Sequence, residues 1–232
     1  MTMPYYVSPE QIMADKAEYA RKGIARGRSI VALEYERGIL MIAENATKLL
    51  KIGEIYDRVA FAGVGKFSEF DQLRKLGVRY ADTKGYAYSR DDVVAKALAN
   101  AYSQTIGEAF TREMKPLEVE VIVAEVGDRD FEDHEDNVLY RVKFDGFISD
   151  HRGYCVIGGD VDEVEQVIKA GQQPTMSMAE AVRLGHQALG RVSDVSGDLT
   201  AESLEVCVLD GTLAGRRFRR LLVDEVQAIL TG

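Results

Sequence analysis

The feature that most constrains the fold is the order in which the two hydrophobic periods follow one another. Strand-like segments come in runs, and helix-like segments come in pairs between them. The order is helix, two strands, strand, two helices, three strands, two helices, strand, helix. A doubly wound sheet would instead alternate strand and helix. Two antiparallel sheets packed face to face, with helix pairs on both outer faces, would bury every apolar stripe. The expected class is therefore α+β, a four-layer αββα sandwich with an N-terminal helix ahead of the first strand. No linker and no internal repeat interrupts residues 1–232, so one domain is expected.

The leading helix has a written beginning. Ser8 is a good N-cap and Pro9 suits the first helical position, where its missing N–H costs nothing. Gln11 lies at the spacing of a capping box. Met13, Ala17, Ala20 and Ile24 recur at helical spacing, and Gly23 and Gly27 loosen the end of residues 8–27. Residues 29–44 (SIVALEYERGILMIAE) then read as two strands split by Glu36-Arg37-Gly38. Residues 59–65 (VAFAGVG) form another strand, whose small residues fit a tightly covered face. Residues 66–77 return to helical spacing, with Gly77 as the expected stop, and residues 78–89 read as a connection. Ser89 and Asp92 are expected to cap a long helix ending before Pro116.

Residues 117–126 form a strand, and residues 127–137 an acidic loop. Residues 138–145 and 147–158 read as a hairpin turning at Asp145-Gly146. Helices are expected after Asp160 with Glu163 and after the capping box of Ser177 and Glu180. Residues 203–210 read as a strand and 216–230 as a closing helix.

Several chemistries are excluded. Gly63-Val64-Gly65-Lys66 falls short of a phosphate loop, because Ala60 and Phe67 stand where Gly and Ser or Thr are needed. His134, His151 and His186 share no ligand spacing and read as surface or loop residues, so no metal site is expected. No G-x-S-x-G elbow occurs. The run Asp133 to Asp136 reads as a solvated loop. A net charge of -9 argues against nucleic acid and anionic membranes as partners. No apolar run is long enough to span a bilayer, and residues 1–7 have no signal-peptide character. Cys155 and Cys207 each sit in an apolar run and read as buried, reduced thiols, which fits a cytoplasmic protein.

Longer stretches carry a resemblance. SPEQIMADKAEYARKGIARG followed by SIVALEYERGILMIAEN resembles the start of a 20S proteasome α subunit of the actinobacterial kind. YDRVAFAGVGKFSEFDQLRKLG, DTKGYAYSRDDV, LANAYSQTIGEAF, KPLEVEVIVAEV and LYRVKFDG continue it, and the RRFRR of residues 216–220 matches the last helix of that family. The similarity runs from Pro4 to about Ile229. Archaeal and eukaryotic α subunits resemble SPxGRLxQVEYA here, of which this chain keeps Ser8-Pro9 and Glu18-Tyr19-Ala20. Their tyrosine-aspartate-arginine gate triplet is missing.

The resemblance implies a sandwich of the N-terminal-nucleophile hydrolase type without its catalysis. In active members the nucleophile is the first residue of the first strand, activated by its own free amine. Arg28 falls there, with no hydroxyl and 27 residues ahead of it. Glu44 and Lys51 fall near the acid and the lysine of the family. The expected protein is a non-catalytic subunit of a threonine-type endopeptidase complex. It would form heptameric outer rings, dock on beta rings, gate the entry of unfolded or tagged proteins, and bind the C-terminal tails of an activating ATPase ring. No cofactor is expected.

By the same resemblance, Lys51, Gly65 and Lys66 would belong to the tail pocket, with Ala32 replacing a glycine of many relatives. Met1, Thr2, Met3, Pro4, Tyr5, Tyr6 and Val7 would form the gate. Pro9, Met13, Ala17, Ala20 and Ile24 would make ring and beta contacts. The alternative is an active hydrolase processed before Ser29.

Overall fold

The computed structural model describes residues 8–45, 47, 49–127, 136–193 and 199–232. Helix α1 spans Pro9–Ala25. It is followed by strands β1 (Ile30–Tyr35), β2 (Gly38–Glu44), β3 (Ile52–Tyr56) and β4 (Val59–Gly65). Helices α2 (Phe67–Ala87) and α3 (Ala95–Arg112) precede β5 (Val119–Glu125), β6 (Val138–Val142), β7 (Ile148–His151) and β8 (Tyr154–Ile157). Helices α4 (Val161–Gly171) and α5 (Met178–Val192), strands β9 (Leu204–Asp210) and β10 (Phe218–Arg220), and helix α6 (Val223–Thr231) complete the chain.

The strands form two five-stranded sheets, ordered β10-β9-β2-β1-β8 and β3-β4-β5-β6-β7. All pairings are antiparallel. The expected αββα sandwich is present. Between the sheets lie Ile30, Ala32, Met41, Ala43, Ala60, Ala62, Ile122, Ala124 and Cys155. The alternate residues Val31, Leu33, Leu40 and Ile42 meet α4 and α5 on the outer face of the first sheet. Val59, Phe61, Val121 and Val123 meet α2 and α3 on the outer face of the second. Both faces of the central strands are covered, so β2 reads as one unbroken apolar run (GILMIA). Of the small residues of β4, Ala60 and Ala62 lie between the sheets, while Gly63 makes room for Phe70 of α2. Cys155 and Cys207 are buried and free, as expected.

Helix α1 lies against β4 and β5 and sends Ala20 and Ile24 into the layer between the sheets. Ser8 caps it by accepting from the Gln11 N–H at 3.2 Å. Only half of the expected box forms, because the Gln11 amide turns to Asp15 at 2.6 Å. The Lys16 ammonium fastens the helix to the end of α3, donating to the carbonyls of Phe110 (3.0 Å) and Glu113 (2.6 Å). Those carbonyls carry the negative end of the α3 dipole.

Several expectations are corrected. Gly77 does not stop a helix, and residues 78–89 are not a connection, since α2 continues to Ala87. Gly77 lets Tyr102 of α3 close on α2, and Gly85 does the same for Tyr56; a Cβ at either site would lie 2.8 Å from the tyrosine Cζ. Ser89 caps a short 3-10 turn, Arg90–Asp92, while α3 starts at Ala95. The carboxylate of Glu125 caps α3 instead, accepting from the Ala95 N–H at 2.6 Å.

Residues 147–158 hold two strands in different sheets. β7 pairs with β6, and β8 pairs with β1. The chain crosses between sheets at Gly153, whose φ of +80° suits glycine. Finally, residues 216–220 are not helical. Phe218–Arg220 forms β10 on the edge of the first sheet, and the last helix starts at Val223.

Candidate functional site

The head of β1 is where a hydrolase of this architecture would hold its nucleophile, and here the groups at that place are already paired. Arg28 is the last residue but one before β1, and its guanidinium pairs with the buried carboxylate of Glu44 at the end of β2. Ser29 is buried, and its hydroxyl donates to the Gly158 carbonyl at 3.0 Å. The amide of Arg28 is internal to the chain. A cleft of about 610 Å³ opens beside these groups, lined by Gly27, Arg28, Ser29, Glu44 and Asp160 among others. It contains a compensated ion pair and a bonded serine, but no free amine to take a proton from a hydroxyl.

Lys51 precedes β3 and sits close by. Its ammonium donates to the Glu44 backbone carbonyl at 2.9 Å. Burial pushes this ammonium down to about 8, against the opposing pull of the Glu205 and Glu44 carboxylates, while Arg28 adds to the fall. The backbone of Lys51 is held as well. Its N–H donates to Glu205 at 2.9 Å, and its carbonyl accepts from Gly63 at 3.0 Å. Leu49 and Leu50, the two exposed leucines just ahead of it, are about half exposed (51% and 52%). The arrangement offers a half-buried cation beside an apolar shoulder, which suits a carboxylate carried on an apolar chain.

The residues expected to accompany Lys51 are divided. Gly65 ends β4 at the same end of the second sheet, with φ +105° and the Glu118 carbonyl packed against it. Lys66 follows at the head of α2, and its ammonium pairs with Glu69 at 3.4 Å. Ala32 is fully buried between Met41 and Cys155 and offers no surface in this chain. Glu205 was not foreseen. A glutamate in the strand segment SLEVCVLD gives a sequence signal only as a charge at an inward-facing position.

The five contact residues expected on α1 also divide. Pro9 and Met13 are exposed and Ala17 is half-buried, whereas Ala20 and Ile24 are spent on the chain's own core. The helix instead exposes Ile12 (44%) and Tyr19 (49%) beside Met13 (38%). The gate residues Met1 to Val7 lie outside the described residues, as do His134 and most of the acidic loop. His151 and His186 sit on β7 and α5 rather than on loops. His151 Nε2 lies 2.9 Å from Ser149 Oγ, and His186 Nε2 lies 2.7 Å from the Leu199 carbonyl. No helix among the described residues is long and apolar enough to cross a membrane.

Known proteins share this sequence closely. The family model described as "Proteasome subunit" matches residues 24–209. The proteasome subunit alpha of Arthrobacter sp. (strain FB24) is 51% identical, over 100% of this chain and 99% of that protein. That of Thermomonospora curvata is 52% identical over 99% of this chain and 98% of its own length. That of Renibacterium salmoninarum is 51% identical over 100% and 96%.

Proposed function

The chain belongs to the proteasome subunit family, where it is a ring-forming, non-catalytic alpha subunit, and we propose that it builds heptameric outer rings, docks on beta rings, gates substrate entry and answers an activating ATPase ring. The observation that carries the non-catalytic part is the Arg28–Glu44 pair at the head of β1, behind an internal amide. Proteolysis then belongs to the beta subunits of a threonine-type complex. The purified chain alone should cleave no peptide in a manner blocked by an inhibitor of N-terminal threonines; such cleavage would refute the assignment. Processing before Ser29 is disfavoured, since its hydroxyl is buried and already donates to Gly158.

Ring formation needs surface that the monomer leaves unused. The exposed Ile12, Met13 and Tyr19 of α1 supply an apolar face for neighbouring subunits. An obligate interface of this kind buries on the order of 2,000 Å² or more.

Met1 to Val7, with Tyr5 and Tyr6, would project toward the axis and plug the pore. Deleting them should raise peptide hydrolysis by the assembled particle, and an unchanged rate would count against a gate. Lys51 would pair with the terminal carboxylate of an ATPase tail, with Leu49 and Leu50 taking its apolar side chains and Gly65 and Lys66 beside it. Ala32 could only back such a pocket. A Lys51→Ala particle that still responds fully to its ATPase would remove this role.

A further inference from the structure

This inference rests on the reading of Lys51 as the tail-binding cation. Glu205 lies on β9 in the first sheet and is 5% exposed. One of its carboxylate oxygens accepts from the Lys51 N–H at 2.9 Å and from the Asn45 side-chain amide at 2.7 Å. The other accepts from the Ile52 N–H at 3.0 Å and from the Arg220 guanidinium at 2.5 Å. Arg220 also donates to the Ile52 carbonyl at 2.7 Å. A single carboxylate thus takes four donors from β10, from the start of β3 and from the residue after β2. β3 belongs to the second sheet, so Glu205 rivets the two sheets where Lys51 enters its strand.

The far end of the lysine is held too. Its ammonium donates to the Glu44 carbonyl, and the Glu44 side chain is held by Arg28. The charged groups around it are Glu44 from β2, Glu205 from β9, Arg28 ahead of β1 and, beyond Glu205, Arg220 from β10.

We propose that Glu205 is the positioning residue of the Lys51 pocket, fixing the lysine backbone at the mouth of β3 and placing a negative charge from the opposite sheet within electrostatic reach of its ammonium, which itself bonds the Glu44 carbonyl. Glu205 touches no ligand; it acts through Lys51. Two consequences separate this role from plain structural support. Only the charged lysine attracts a carboxylate, so recognition should fade as pH rises through about 8. Burial drives the ammonium toward its neutral form, and Glu205 opposes that drive. Replacing its charge should therefore move the fading to lower pH.

The test uses assembled alpha–beta particles carrying Glu205→Gln, Arg220→Gln, Lys51→Arg or Lys51→Ala. The probe is a synthetic peptide copying the C-terminal residues of the cognate ATPase, with a free carboxylate, against the same peptide as its amide. The readout is the ratio of stimulated to basal peptide hydrolysis across roughly pH 6.5 to 9.5, which brackets the lysine.

In Glu205→Gln the midpoint should fall by on the order of one pH unit, leaving about a tenth of Lys51 charged at pH 8 in place of about half, a roughly fivefold loss. Arg220→Gln leaves the Glu205 charge uncompensated and should move the midpoint upward. Lys51→Arg should keep stimulation at high pH.

If Lys51→Ala abolishes stimulation but Glu205→Gln keeps the wild-type midpoint, the role of Glu205 is refuted while the Lys51 pocket stands. A uniform loss of stimulation with no movement of the midpoint also refutes it. If Lys51→Ala responds fully, the pocket itself is wrong and this inference goes with it. Should Glu205→Gln not assemble, Arg220→Gln decides: a midpoint that stays put or falls overturns the proposal.

Discussion

Gly77→Ala tests the packing account against ordinary helix chemistry. Gly77 lies in the interior of α2, where alanine is normally better than glycine by about 1 kcal/mol. Were Gly77 only a weak point in a helix, the substitution would stabilise the protein. Its position says otherwise. A Cβ there would meet Tyr102 Cζ at 2.8 Å and the hydroxyl oxygen more closely still, against an ordinary carbon contact of about 3.5–4.0 Å. Tyr102 cannot step aside cheaply. It is fully buried and packs edge-on against Phe61 with centroids 5.6 Å apart.

Overpacking of this kind costs about 1–3 kcal/mol, and the helix gain offsets part of it. Because Tyr102 is fully buried and the contact severe, the cost is expected at the upper end, about 2–3 kcal/mol, so the predicted net loss is about 1–2 kcal/mol, or roughly 2–8 °C in melting temperature for a chain of this size. The assay is thermal unfolding of both variants in the same assembly state and at matched concentration. Tyr102→Phe supplies the control. The Tyr102 hydroxyl has no hydrogen-bond partner among the described residues, so its removal alone should cost little. In the Gly77→Ala background it should recover part of the loss, because it deletes the nearest clashing atom. A higher melting temperature for Gly77→Ala, or no coupling to Tyr102→Phe, would refute the reasoning.

Three further outcomes are expected. Glu125→Ala removes the cap of the Ala95 N–H and the 3.0 Å ion-pair partner of Arg58, both largely buried; unfolding measurements should show a loss of about 3–5 kcal/mol, with Glu125→Gln milder. Burial pushes the Cys155 and Cys207 thiols up to about 12, so a maleimide at neutral pH should label neither in the folded protein and both after denaturation. Ile12→Ser with Tyr19→Ser should weaken assembly, seen as a smaller native mass, while leaving the melting of the dissociated chain within about 0.5 kcal/mol, since both side chains are exposed.

What could be read from the sequence was local. The Ser8 cap, the β1–β2 hairpin and the Ser177–Glu180 box each place the deciding atoms within a few residues, and all three formed. The errors came where the deciding partner is distant. Gly77 and Gly85 look like breaks until Tyr102 and Tyr56 close on them. Residues 147–158 look like one strand because nothing local says that β7 and β8 join different sheets. The short β10 exists by pairing with β9, and its arginines gave no strand signal.

The site divides in the same way. Arg28, Glu44 and Lys51 could be placed by resemblance, and the structure brings them together. Glu205, which anchors Lys51 from the other sheet, is a long-range contact that only the fold reveals. On α1 the apolar spacing was legible, but burial splits it. Ala20 and Ile24 serve the core, and Ile12, Met13 and Tyr19 stay exposed.

This sandwich is a scaffold subunit built to assemble, and its native mass tests that most directly. The chain would be measured alone and after mixing with a beta subunit from the same source, by native mass spectrometry. Sevenfold rings alone, or a four-ring particle on mixing, are the predicted results. A stable monomer that ignores the beta subunit would contradict the account, because the exposed face of α1 would then have no ring to join.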